Sequence, residues 1–178
     1  MFPSNHYRYW FFLEQDVDQP IGGLKQIHII SSLMSLSGYN SYVVHKSSSF
    51  RPTWFTSSAN IVGVSETDSL ITDLNRDILI IPETLLAIAL RPRWSGFKKI
   101  LFNQNSHYTF GLKFQHDPAK IINLYKRYFC HFLCVSDHDF HFLSSTLGLG
   151  SDNVSRIVNS FNENSFFMPT SKKKQVAF

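Results

Sequence analysis

Gln19-Pro20-Ile21-Gly22-Gly23-Leu24-Lys25 joins two segments of different periodicity, and its reading decides the fold. Before it, Tyr7-Arg8-Tyr9-Trp10-Phe11-Phe12-Leu13 is an aromatic run of strand length. After it, Leu24, Ile27, His28, Ile30, Leu33, Met34 and Leu36 recur at helical spacing, which predicts a helix over residues 24–37. Strand, glycine pair and helix together are how α/β proteins build an anion site. Two glycines let the backbone approach a phosphate, and the unpaired N–H groups of the helix start point at it. A tight strand-to-helix turn can also need glycine for itself, so the turn alone leaves both readings open. No G-x-G-x-x-G pattern is present, which argues against a dinucleotide site.

Downstream the alternation continues. Gly38 sits where a helix C-cap belongs, and residues 39–45 read as a second strand. Residues 47–58 are polar around Pro52 and the pair Trp54-Phe55, and read as a surface excursion. A short strand is expected at 61–64 and a turn or a single helical turn over 68–75. Asp77-Ile78-Leu79-Ile80-Ile81-Pro82-Glu83 is the clearest buried strand, stopped by proline. A short helix at 84–90, a strand at 98–105 and a loop at 106–117 follow. Asp117-Pro118 opens a helix to about residue 128, with proline at the first helical position. Strand 132–136, helix 137–147 and strand 154–160 complete the pattern. The expected fold is α/β, a Rossmann-like parallel sheet with helices on both faces. Ligands in such sheets bind beyond the carboxyl ends of the strands. That edge is predicted to carry Gly22-Gly23, His45, Glu83, residues 103–107, Ser136-Asp137 and Asn159.

The 178 residues suffice for one domain with a proper core. Hydrophobic content of 43% against 17% charge excludes a disordered chain, and a net charge of +4 is too diffuse to argue for nucleic acid. No apolar run approaches the ~20 residues of a membrane span, and the start is unlike a signal peptide. Cys130 and Cys134 have no second pair, so reduced thiols in a cytoplasmic protein are expected. His138 and His141 share a helix face in Asp137-His138-Asp139-Phe140-His141, but without a third ligand no metal is expected there.

In this order, five pieces resemble the amino-terminal half of a GT-B glycosyltransferase, most closely the retaining family 4 type. They are Gly22-Gly23-Leu24-Lys25; Ser37-Gly38-Tyr39 leading to Val43-Val44; Asp77 to Glu83; Cys134-Val135-Ser136; and Arg156-Ile157-Val158-Asn159-Ser160-Phe161-Asn162 with Phe166 and Pro169. The last departs from the family pattern, with Ser160 where glycine is usual and Asn162 where aspartate is common.

The resemblance implies an acceptor-side domain at 1–165. It also implies an interdomain linker at 166–178, leading to a donor-binding domain outside this chain, without which the chain is expected to be inactive. The implied reaction moves a sugar from a nucleotide-sugar donor to a saccharide or lipid-linked acceptor, with no cofactor. Gly22, Gly23 and Lys25 are then donor-phosphate-side candidates. Glu83, Asn103, Gln104 and Asn105 are candidates for acceptor hydroxyls, because carboxylate and amide groups bind such hydroxyls. His107 is the candidate for proton transfer. Lys172-Lys173-Lys174 is expected to be a solvated hinge, with contact to anionic lipid at a membrane surface as the lesser expectation. The alternative is a stand-alone α/β binding module for an anionic or sugar ligand. An unrelated hydrolase would need a Gly-x-Ser-x-Gly elbow or P-loop that the chain lacks.

Overall fold

The computed structural model describes residues 6–110 and 117–158. Seven strands form one sheet: β1 (Arg8–Phe12), β2 (Asn40–His45), β3 (Asn60–Gly63), β4 (Asp77–Pro82), β5 (Lys98–Asn103), β6 (His131–Cys134) and β7 (Val154–Arg156). Their order across the sheet is β3-β2-β1-β4-β5-β6-β7, and every neighbouring pair is parallel. This is the Rossmann-like α/β fold. The helices are α1 (Gly22–Leu36), α2 (Thr67–Leu70), α3 (Leu86–Ala89), α4 (Ser106–Thr109), α5 (Pro118–Tyr128) and α6 (Asp137–His141), the last continuing as a π-helix over Phe142–Thr146. None of them is long and apolar enough to cross a membrane.

Parallel strands covered on both faces read as unbroken apolar runs, and the central strands do so here. One face presents Phe11, Leu13, Val43, Ile80 and Phe102, packed against Leu24 and Ile27 of α1. The other presents Trp10, Phe12, Leu79, Ile81, Leu101 and Phe132. They pack against Leu86 and Ile88 of α3, Ile121 and Tyr125 of α5, and Leu143. Helices therefore cover both faces, unequally: α1 stands on the first, and the later helices on the second.

Local signals explain several boundaries. The Asp117 side chain accepts from the Lys120 N–H, and Pro118 begins α5, as the Asp-Pro pair predicts. Gly38, just past α1, has φ of 85°, the left-handed conformation expected beyond a C-cap. Ser136 caps α6 by accepting from the Asp139 N–H.

Some expectations are corrected. Leu33 and Leu36 belong to the predicted stripe but are 52% and 79% exposed, because α1 settles on Leu24, Ile27, His28 and Ser31. Residues 47–58 are more than a surface excursion: Trp54 and Phe55 pack on the α1 face of the sheet. The loop expected at 106–117 begins with the helical turn α4. The last strand ends at Arg156, short of the expected residue 160. Asn159, Ser160, Asn162, Phe166, Pro169 and the 166–178 segment lie outside the described residues.

Candidate ligand-binding site

From β1 the chain moves outward to β2 and β3, then crosses back to place β4 on the other side of β1. Connections leaving β1 and β4 therefore diverge, and a crevice opens at their carboxyl ends. A cavity of about 430 Å³ lies there. Its walls come from Leu13, Gln15 and Val17 after β1, the start of α1, Pro82 to Leu85 after β4, and Gln104, Asn105 and Tyr108 after β5.

The start of α1 has no side-chain cap and no acidic residue in its first turn. Its first backbone bond runs from the Lys25 N–H to the Ile21 carbonyl, 3.1 Å, so the N–H groups of residues 22–24 have no acceptor within the helix. Over fifteen residues the aligned peptides leave partial positive charge at this end. Neither Gly22 nor Gly23 has a positive φ, so the turn does not need glycine for its backbone conformation. A Cβ on Gly23 would lie 2.1 Å from Gln104 Oε1, so this glycine makes room for a side chain. A Cβ on Gly22 would meet nothing within 4 Å. Nothing in the protein's own packing requires glycine at position 22.

Opposite stands Glu83, 4% exposed. Its Oε1 accepts from the Gln104 N–H (3.1 Å) and the Asn105 N–H (3.0 Å), while Oε2 has no hydrogen-bond partner among the described residues. Burial pushes its carboxyl up to about 7 against the opposing pull of three backbone N–H groups, its own and those of Gln104 and Asn105, and the nearby Asp139 carboxylate adds to the rise. Asp139 in turn accepts from the Ser106 N–H (2.9 Å) and the Ser136 hydroxyl (2.7 Å). Two carboxyl groups thus hold the β5–α4 loop by its amides.

Of the sequence candidates, Gly22, Gly23, Glu83, Gln104 and Asn105 come together around one cavity. Lys25, one turn into α1, is not among its lining residues, nor is His107, which is exposed on α4. Asn103 is fully buried below the rim, where its Nδ2 donates to Thr109 Oγ1 at 3.0 Å and its Oδ1 has no partner among the described residues. Glu83 is not the free acceptor-binding group expected, since Oε1 is committed to the loop and Oε2 is buried. Asn105 is similarly engaged: its Oδ1 accepts from the His107 N–H at 3.0 Å.

Sequence reasoning missed Gln15 and Tyr108 as wall residues, and a buried histidine pair behind the first of them. His45 Nδ1 lies 2.7 Å from the Gln15 carbonyl and must donate to it. His45 Nε2 is then an acceptor, so His28 Nε2 donates across 2.9 Å, and His28 Nδ1 accepts from the Ser57 hydroxyl at 2.8 Å. Both rings are neutral in this chain of bonds. Burial, with His45 and Arg51 adding, holds His28 down to about 4. The signal available was His28 on a helical stripe with His45 at a strand end, but their partnership is set by packing. Among the described residues, no group of three or more His, Cys, Asp or Glu is placed to hold a metal.

A scan of family models and searches of curated proteins and of solved structures found no match to the chain, so the site is read from its own chemistry.

Proposed function

We propose that this domain is the acceptor-side half of a glycosyltransferase that moves a sugar from a nucleotide-sugar donor to a saccharide or lipid-linked acceptor. The observation that carries the reading is the uncapped start of α1 facing the cavity at the β1–β4 crevice. A donor diphosphate would complement the helix end, and the open space at Gly22 permits its close approach. Gln104, Asn105 and Tyr108 supply the mixed donors and acceptors that sugar hydroxyls need. Pro82-Glu83 and Gly22-Gly23, both part of the resemblance to GT-B enzymes, meet at this one cavity. In this reading a second domain holds most of the nucleotide, and closure of the two over the donor excludes water.

The test is an amide NMR titration of the isotopically labelled chain with uridine, guanosine and adenosine diphosphate sugars. One of them is expected to move the signals of Gly22, Gly23, Gln104 and Asn105, with competition by pyrophosphate and none by the free nucleoside. A transfer assay on the chain joined to its donor-binding domain follows. Absence of shifts at these amides with every donor and with a panel of saccharide acceptors overturns the proposal.

A further inference from the structure

The start of α1 and Glu83 line the same cavity, and their electrical demands conflict unless a proton moves. An anion seated on the helix amides is favoured by the helix end and opposed by an ionised carboxylate on the facing wall. Glu83 is nine-tenths buried, and among the described residues no cationic side chain partners its Oε2, so the opposition is weakly screened. The titratable groups that face it are Asp139 from the α6 side and Tyr125 from α5. Asp139 disfavours a second negative charge, and Tyr125, whose hydroxyl is raised by burial, supplies no positive one. The β5–α4 loop contributes the Gln104 and Asn105 N–H groups, both spent on Oε1, and α1 contributes its peptide dipoles alone.

We propose that Glu83 takes up one proton when an anionic group binds at the start of α1, so that a neutral carboxylic acid and not a carboxylate stands in the wall opposite the ligand. This rests on the cavity being an anion site, as the proposed function requires. The balance is simple: carboxylate plus proton gives carboxylic acid, the proton coming from buffer, with no bond made or broken in the ligand. Oε1 keeps its two N–H donors in either state. The ligand class is a group of fixed negative charge, such as a phosphate diester or diphosphate bridge.

Sulfate is the probe, because it does not titrate across the working range. Calorimetry in two buffers of different ionisation heat reads proton uptake directly, from about pH 5.5 to about pH 8.5. Uptake is expected to approach one proton per sulfate above the Glu83 transition at about 7 and to vanish below it, with affinity falling about tenfold per pH unit on the alkaline side. In Glu83→Gln, which keeps an acceptor and gains a fixed donor, sulfate is expected to bind without uptake and without that slope. Carbon NMR of the Glu83 carboxyl, on the unaltered chain, should show its titration displaced to higher pH by sulfate. Equal uptake in both proteins, no displacement of the titration, or no sulfate binding at any pH overturns the inference. Sulfate binding with uptake but no response to any nucleotide sugar would leave the anion site standing and sink the transferase reading. A nucleotide sugar bound with no proton linkage would do the reverse.

Discussion

Strand β4 carries a buried carboxylate at its start and another just past its end, and the two live under opposite regimes. Asp77, at the amino edge, is saturated: Arg8 Nε and Nη2 donate at 2.6 Å each, Trp10 Nε1 at 2.9 Å, and the Thr72 and Asp73 N–H groups at 3.0 and 2.9 Å. Glu83, at the carboxyl edge, has two donors on one oxygen and, among the described residues, none on the other. A charge buried with a guanidinium and several donors stays charged and ties strands together. A carboxyl buried without a cation is driven towards its neutral form. The amino edge is thus built for stability, and the carboxyl edge retains an unmet valence beside a cavity.

The contrast is broken most directly at Asp77. Asp77→Ala leaves Arg8, Trp10 and two backbone donors without their acceptor, and is expected to cost about 3 kcal/mol or more in urea unfolding. Glu83→Gln, at the other end of the same strand, is expected to cost nothing above about pH 7, because it replaces a buried charge that the fold disfavours. Comparable losses at both ends would refute the division.

Two buried groups near the carboxyl edge should shape the pH dependence of stability. Glu83 has a raised folded value, so its contribution is full below its ordinary 4.5 and is lost as pH rises through about 7. His28 has a lowered one, so its contribution is present above 6.5 and lost as pH falls through about 4. Over about pH 4.5 to about 6.5 the two slopes oppose each other, with His45, also held low by burial, adding on the His28 side. Glu83→Gln should unmask the histidine slope, approaching ~1.4 kcal/mol per pH unit, in unfolding midpoints followed across that range. A variant profile no steeper than the parent's would remove His28 from the account.

The smallest structural effect and a sharp functional one are expected at Gly22. With open space around its Cβ and no left-handed φ, Gly22→Ala should leave stability within about 0.5 kcal/mol of the parent. The added methyl would occupy the approach to the α1 amides, and sulfate binding should weaken at least about tenfold. Unchanged binding would mean that the anion does not approach the backbone there.

Much of this was legible because it is local. The Ile78 to Ile81 run, the Asp117-Pro118 helix start and the glycine after α1 each act through their own neighbours, and each lies where the sequence places it. Reading failed where a partner is remote. The polar residues 47–58 look solvated, yet Trp54 and Phe55 close one sheet face and Ser57 caps the His28 ring. Glu83 and Asn103 looked like free ligand groups, yet Glu83 holds the loop 21 and 22 residues further on, and Asn103 is sealed beneath α4. Composition carries no record of which backbone N–H a carboxylate will meet.

What the sequence determined by itself is the alternation of strand and helix, the parallel α/β class and the edge where polar residues gather, because periodicity and turn chemistry are properties of adjacent residues. Tertiary structure decided the strand order, and with it the position of the crevice between β1 and β4. It also decided that Asp77 would be matched by a guanidinium 69 residues away while Glu83 would not. A carboxylate's charge state is set by the dielectric and the donors around it, and both come into being only when the chain has packed.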